Sequence, residues 1–286
     1  MIYGPKGRIN NCYVLMSIPT YSYETINEEY QQALNWMSEL GVNISPGRTQ
    51  YYAKIIDYWK TEYKSASEQE GKTAFPDFVS SMFEISDFID IYKSLRFEPP
   101  SDLVSIVEKL QKGVNGPVNS AEETSKSTVA RNFIFEALVA ARCHAPSSSV
   151  EVIFNAKSDT GIRIENKKIW IECKRITSLN KLEANIRDAS KQLERVLKSK
   201  TGSGHRGMVA IDFTKILHKG DKLLVKDDDS SLEGAITEIM DLFIKQYSNQ
   251  WEKVYKTKNK KIIGTILRFS TMATSESRNL LVRVSE

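Results

Sequence analysis

A chain of 286 residues with 41% hydrophobic side chains can bury one large core or two modest ones, which excludes the disordered and fibrous classes. Its 40 basic against 36 acidic residues leave a formal charge of only +4, so a polyanionic partner has to be read from where charges gather. No apolar run approaches the roughly 20 residues of a bilayer span, the opening MIYGPKGRINNCYVLM lacks the layout of a secretion signal, and Cys12, Cys143 and Cys173 have neither disulfide nor zinc-site spacing, so we expect a cytoplasmic protein with reduced thiols and no membrane partner.

Up to about residue 113 the pattern is helical. In 24-ETINEEYQQALNWMSELG-41 the residues Ile26, Tyr30, Leu34, Met37 and Leu40 share one face, and Gly41 supplies a C-terminal cap. A second helix runs through 50-QYYAKIIDYWK-60 after the 45-SPG-47 turn, and a third through 77-DFVSSMFEISDFIDIYKSL-95. The 99-PP-100 pair ends it, and 101-SDLVSIVEKLQKG-113 starts from a serine cap and stops at Gly113. These apolar faces read as the core of a helical module over residues 1–115, with self-association as a second use.

The segment 113-GVNGPVNS-120 is rich in turn formers and marks the boundary to a second unit, 116–286. A long helix is expected over 119–146, opened by a capping box from Ser120 to Glu123 and ended by Pro146. The period then changes from 3.6 to 2 through 150-VEVIF-154, 161-GIRIE-165 and 168-KIWIECKRI-176. A helix over 178–199, a glycine-rich loop at 202–207 and a strand 208-MVAIDF-213 follow, and the tail reads as one helix over 232–255 and strands at 262–269 and 279–284. The fold class is α/β: a mixed sheet flanked by helices, with an N-terminal helical module.

The chemistry gathers at 170-WIECKR-175. Residues two apart in a strand share a face, so Trp170, Glu172 and Lys174 lie on one side and Ile169, Ile171 and Cys173 on the other. A hairpin turn at Asn166 and Lys167 would set Gly161 opposite Glu172 and Asp159 opposite Lys174. Two carboxylates held close in a partly buried site repel, and either share a proton or bind a cation. Hard oxygen donors suit Mg2+ or Mn2+, and an adjacent lysine suits hydrolysis of a phosphodiester.

Asp159, twelve further residues, then Glu172-Cys173-Lys174, carried on a hairpin between helices, resembles the PD-(D/E)XK nuclease superfamily over about residues 119–213, with Ser158 where the family name has proline. The resemblance implies a restriction-endonuclease-like core, Asp159 and Glu172 as metal ligands and Lys174 as the residue that supports the water. It further implies Glu136 in the preceding helix as a third metal-binding carboxylate and Gln192 in the following helix as a catalytic amide.

Arg187, Lys191, Arg195 and Lys198 recur at helical spacing, and with Arg175, His205 and Arg206 they could track a phosphate backbone; the lysines of 253-KVYKTKNKK-261 form a second basic cluster. His144 and His218 have no nucleophile partner and receive no catalytic role. The expectation is a Mg2+- or Mn2+-dependent DNA endonuclease, acting on DNA rather than RNA, in a restriction or antiphage-defence setting, with a homodimer expected where both strands are cut. The alternative is a nucleic-acid-binding or assembly protein that has lost turnover on the same fold.

Overall fold

The computed structural model describes residues 21–62, 65–124, 127–144, 150–156, 158–199, 204–217, 223–257, 260–278 and 280–285. Cys12, Pro146 and His218, part of the glycine-rich loop, and the side chains of 253–259 in the second basic cluster lie outside them.

Four helices come first: α1 (Tyr23–Glu39), α2 (Arg48–Thr61), α3 (Glu68–Leu95) and α4 (Val104–Gly113). Ser22 caps α1 by accepting from the Thr25 N–H. Its other end closes in a Schellman motif, with Gly41 at φ 85° and the N–H groups of Gly41 and Val42 donating to Ser38 and Met37. The helix α3 begins nine residues before the periodic stripe, because Ser67 and Glu70 form a capping box that nucleates it ahead of Pro76. The 67-SEQE-70 signature was in the sequence; Pro76 masked it.

Then follow α5 (Val129–Cys143), β1 (Val150–Ile153), β2 (Thr160–Ile164), β3 (Lys167–Arg175), α6 (Leu182–Lys198), β4 (Arg206–Asp212), α7 (Thr214–Leu217), β5 (Leu224–Lys226), α8 (Asp229–Gln246), α9 (Ser248–Thr257), β6 (Ile262–Arg268), β7 (Ser270–Ser275) and β8 (Leu280–Ser285). The expected helix over 119–146 is shorter: only a 3-10 turn over Ser120–Glu122 precedes α5. Glu123 does not close a capping box there, because its carboxylate is drawn into buried ion pairs with Arg131, Arg175 and Lys215. The single tail helix is also two, broken at Tyr247.

A mixed five-stranded sheet runs β1-β2-β3-β4-β6, antiparallel across its first three strands and parallel across β3, β4 and β6. Phe135 and Val139 of α5 pack on one face against Ile171 and Cys173. Leu182, Ile186 and Leu193 of α6 and Ile236 and Met240 of α8 pack on the other, around Trp170. A smaller sheet, β5-β7-β8, stands beside it. A third core unites α1 to α4 with Ile134 and Leu138 of α5 and with Val152 and Phe154 beside β2, so apolar contact runs unbroken across 113–120. Among the described residues no helix is long and apolar enough to cross a membrane.

A buried ionic network ties these layers together. Glu84 of α3 pairs with Arg48 and Arg131, and Arg131 with Glu123. From Glu123 the chain of contacts continues through Arg175, Asp212 and Arg268 to Asp87 and Arg283. Burial alone would raise the Glu84 carboxyl, but Arg48 and Arg131 hold it down to about 2. Glu84→Gln is therefore expected to cost about 3–5 kcal/mol, because it leaves the buried Arg48 guanidinium without its carboxylate and takes one of two from Arg131; urea denaturation at pH 7 measures it.

The α4–α5 contact has no slack. Gly113 is the last residue of α4 and not a left-handed cap, and a Cβ there would come within 2.7 Å of Ile134 Cγ1. The glycine is thus explained by close helix approach. Gly113→Ala is expected to destabilise the fold by about 1–3 kcal/mol through overpacking, although alanine is the better helix former; a lowered thermal midpoint is the readout.

Candidate active site

The β2–β3 hairpin turns at Glu165 and Asn166, with Ile164 paired to Lys167. Glu165 adopts the left-handed φ of 54°, a conformation uncommon for a glutamate. This corrects the register by two residues: Gly161 faces Trp170 and Thr160 faces Ile171, so continuation of the ladder sets Asp159 opposite Glu172 and not opposite Lys174. An even shift preserves which side chains share a face. Gly161 is required here because a Cβ would lie 2.9 Å from the Trp170 ring.

Trp170 and Glu172 are each only 4% exposed. The Asp159 carboxylate (Oδ2) accepts the Cys173 N–H at 2.7 Å, which locks the end of the loop before β2 onto β3. Lys174 Nζ lies 3.4 Å from Glu172 Oε1. Glu136, projecting from α5, is 3.6 Å from Lys109 Nζ, and Lys109 also donates to the Asp159 main-chain carbonyl. Lys109 was missed in the sequence; between Glu108 and Leu110 on a helix, it carries no signal that sets it apart from a solvated lysine.

Burial, then repulsion from Asp159, pushes the Glu172 carboxyl up to about 7 against the pull of Lys174, and Asp159 further favours the protonated form by hydrogen bonding to it. Burial and Asp159 likewise push Glu136 to about 7, opposed by Lys109 and Lys174. Three hard oxygen donors that cannot all ionise comfortably are the chemistry a divalent cation relieves. In this conformation Asp159 is engaged by Cys173 and Glu136 by Lys109, and among the described residues no three His, Cys, Asp or Glu side chains converge on one point. The donor chemistry, three carboxylates of which two are pushed up by burial and mutual repulsion, fits Mg2+ or Mn2+.

The other sequence-derived residues separate into three groups. Arg187, Lys191, Arg195 and Lys198 are exposed along α6, and Gln192 is exposed on the same helix without a hydrogen bond to Glu172 or Lys174. Arg175 is a correction: its guanidinium is 8% exposed and is held by Glu123 and Asp212, so it cannot present a surface to a polynucleotide. Its parity places it on the face of β3 opposite Lys174. His205 and Arg206 stand at the start of β4, beside Lys168 and Ile169, at the far end of β3 from Glu172 and Lys174. His205 accepts the Lys168 N–H, and burial followed by Lys168, Lys167 and Lys261 lowers its pKa.

Leu193 and Leu197 reach the position of Gly207, so α6 runs back along the sheet from the Lys174 end to the His205 end. Its exposed cations lead in the same direction. A small pocket lies among Ser80, Asp87, Arg175, Lys215 and Arg268 and contains none of Glu136, Asp159, Glu172 and Lys174; its charges already belong to the buried network. No protein-family profile matches this chain, and neither a curated protein nor a solved structure is detectably similar to it.

Because Glu136 and Glu172 titrate higher in the folded chain than the ordinary value of 4.5, they favour folding below about pH 4.5 and that contribution is lost as pH rises through 7. Without divalent cations, urea denaturation is expected to show a loss on the order of 2 kcal/mol between pH 5 and pH 8. Glu172→Gln should flatten that slope.

Proposed function

We propose that the chain is a metal-dependent nuclease of the PD-(D/E)XK type, an endonuclease that hydrolyses DNA phosphodiesters. The observation that carries this reading is the Asp159 carboxylate, just ahead of β2, seated on the Cys173 N–H between Glu172 and Lys174, which lie 3.4 Å apart on one face of β3. The order of helix, three antiparallel strands, helix and parallel strand over 129–212 supports it. Asp159 and Glu172 would hold Mg2+ or Mn2+, with Glu136 as the third carboxylate. When bound, the ion supplies an activated water and stabilises charge on the phosphate.

The chain's own residues do the rest. Lys174, held at Glu172 Oε1, keeps an ammonium beside that carboxylate, where it can orient a water and donate to a phosphate oxygen. Trp170 closes the same face to solvent below the cluster. The cations of α6, a helix of roughly 25 Å, give backbone phosphates a track, with Arg187 nearer the cluster and Lys198 at the other end. One such site cuts one strand, so double-strand cleavage needs two copies, and a homodimer through the helical module is part of the proposal. A cytoplasmic role in restriction or antiphage defence is the setting we assign by analogy.

The second reading, a binding or assembly protein without turnover, is favoured by two observations: the carboxylates do not converge, and Gln192 faces solvent. Cleavage of supercoiled plasmid, linear duplex, single-stranded DNA and RNA with Mg2+ or Mn2+ separates the two. The expected result is metal-dependent nicking of DNA that falls roughly 10²- to 10⁴-fold in Lys174→Ala and Glu172→Ala. DNA binding without cleavage by the wild type would favour the second reading.

A further inference from the structure

The helix α4 reaches the candidate site with one face. Ser105, Lys109 and Gly113 are spaced by four residues and therefore share that face. Gly113 seats it against Ile134 of α5, Ser105 donates to the Phe154 carbonyl just past β1, and Lys109 donates to the Asp159 carbonyl just before β2. The connection that delivers Asp159 is thus gripped at both ends by a helix of the N-terminal module. Lys109 is only 12% exposed, and its ammonium lies 3.6 Å from the 13%-exposed Glu136 carboxylate. A desolvated ammonium is costly without a counter-charge, and Glu136 supplies it.

Resting on the nuclease reading above, we propose that Lys109 is a tethered counter-ion of the carboxylate cluster, a positioning residue that competes with a divalent cation for Glu136 and the Asp159 segment. It occupies the cluster with one positive charge in the cation-free protein and withdraws as the ion enters. The N-terminal helices thereby set metal affinity, since any displacement of α4 moves the competing charge. Ser105 performs the mechanical part of the grip without charge, which allows anchoring and competition to be separated.

The test is Mn2+ affinity by isothermal titration calorimetry on the full-length chain, for wild type, Lys109→Gln, Lys109→Arg and Ser105→Ala, with Glu172→Gln as the control that locates the site. Lys109→Gln keeps a hydrogen-bond donor for the Asp159 carbonyl and removes the charge. It is expected to tighten binding about tenfold or more, the scale of one nearby unit charge at a partly buried site. Lys109→Arg and Ser105→Ala should stay near the wild-type value. A measurement on the wild type alone accompanies this: acylation of the Lys109 amine, followed by mass spectrometry, should speed up when Mg2+ is added.

Unchanged or weaker binding in Lys109→Gln, or Lys109 acylation that Mg2+ leaves unaltered or slows, would overturn the competition and leave Lys109 as a plain anchor while the metal site stands. No Mn2+ binding by wild type or any variant would overturn the inference together with the reading it rests on.

Discussion

The burial of Glu84 between Arg48 and Arg131 is the constraint from which the rest of the architecture follows. Removing three charges from water is expensive, and it is tolerable only because each guanidinium finds both a carboxylate and carbonyl oxygens: Arg48 donates to Gly113, and Arg131 to Pro117 and Val118. These contacts fix the segment between α4 and α5 against α3. From Arg131 the network passes through Glu123 to Arg175, and there it meets the end of the strand that carries the candidate site. Arg175 and Lys174 are sequence neighbours on opposite faces of β3. A one-residue slip of that strand would turn over every side chain on it, setting Glu172 and the Lys174 ammonium among the paired arginines and taking Arg175 away from Glu123 and Asp212. The paired Arg175 therefore makes the orientation of Lys174 a requirement of the core as well as of the site.

The strand β3 separates two kinds of charged environment. On the α5 face, Asp212 is held below its ordinary value, because Arg268 and Arg175 outweigh the burial that would raise it. On the other face, Glu172 has one lysine at 3.4 Å and an adjacent aspartate, and burial prevails. Neighbouring carboxylates of one sheet thus sit in opposite regimes, one fully ionised and structural, the other near its titration point. The number of cations within reach decides which, and that number is set by the helices that pack on each face.

Much of the C-terminal half was legible because strand parity and helix periodicity survive small errors. The pattern of 168-KIWIECKRI-176 was enough to put Glu172 and Lys174 together with Trp170, whatever the register of the hairpin. The register itself was not legible, since it turns on a glutamate at positive φ. Asp159 was consequently matched to the wrong partner, although still to the correct face. Arg175 read as a surface cation because its partners, Glu123 and Asp212, are distant in sequence and Glu123 looked like a helix cap. The strand β7 was invisible for another reason: Ser270–Ser275 is small and polar, and it is a strand only because β5 and β8 pair with it. Lys109 illustrates the same limit at the site, since its role depends on a helix packing contact at Gly113 that periodicity does not encode.

The energetics of the cluster explain why a lysine from another unit would be recruited to it. Asp159, Glu136 and Glu172 bring three potential negative charges into a region that desolvation makes hostile to any charge, and Lys174 offsets only one. Protonation can remove a second, which is what carboxyls pushed to about 7 express. At neutral pH that remedy is half spent, because the protons are as easily lost as held. An ammonium on a rigid helix offsets the remainder, and it can be displaced, whereas a hydrophobic filling could not be without loss of packing. Under the proposed nuclease reading, the same charge imbalance that pushes these carboxyls up is what a divalent ion would relieve, so the pH dependence of stability and the affinity for metal would be two expressions of it.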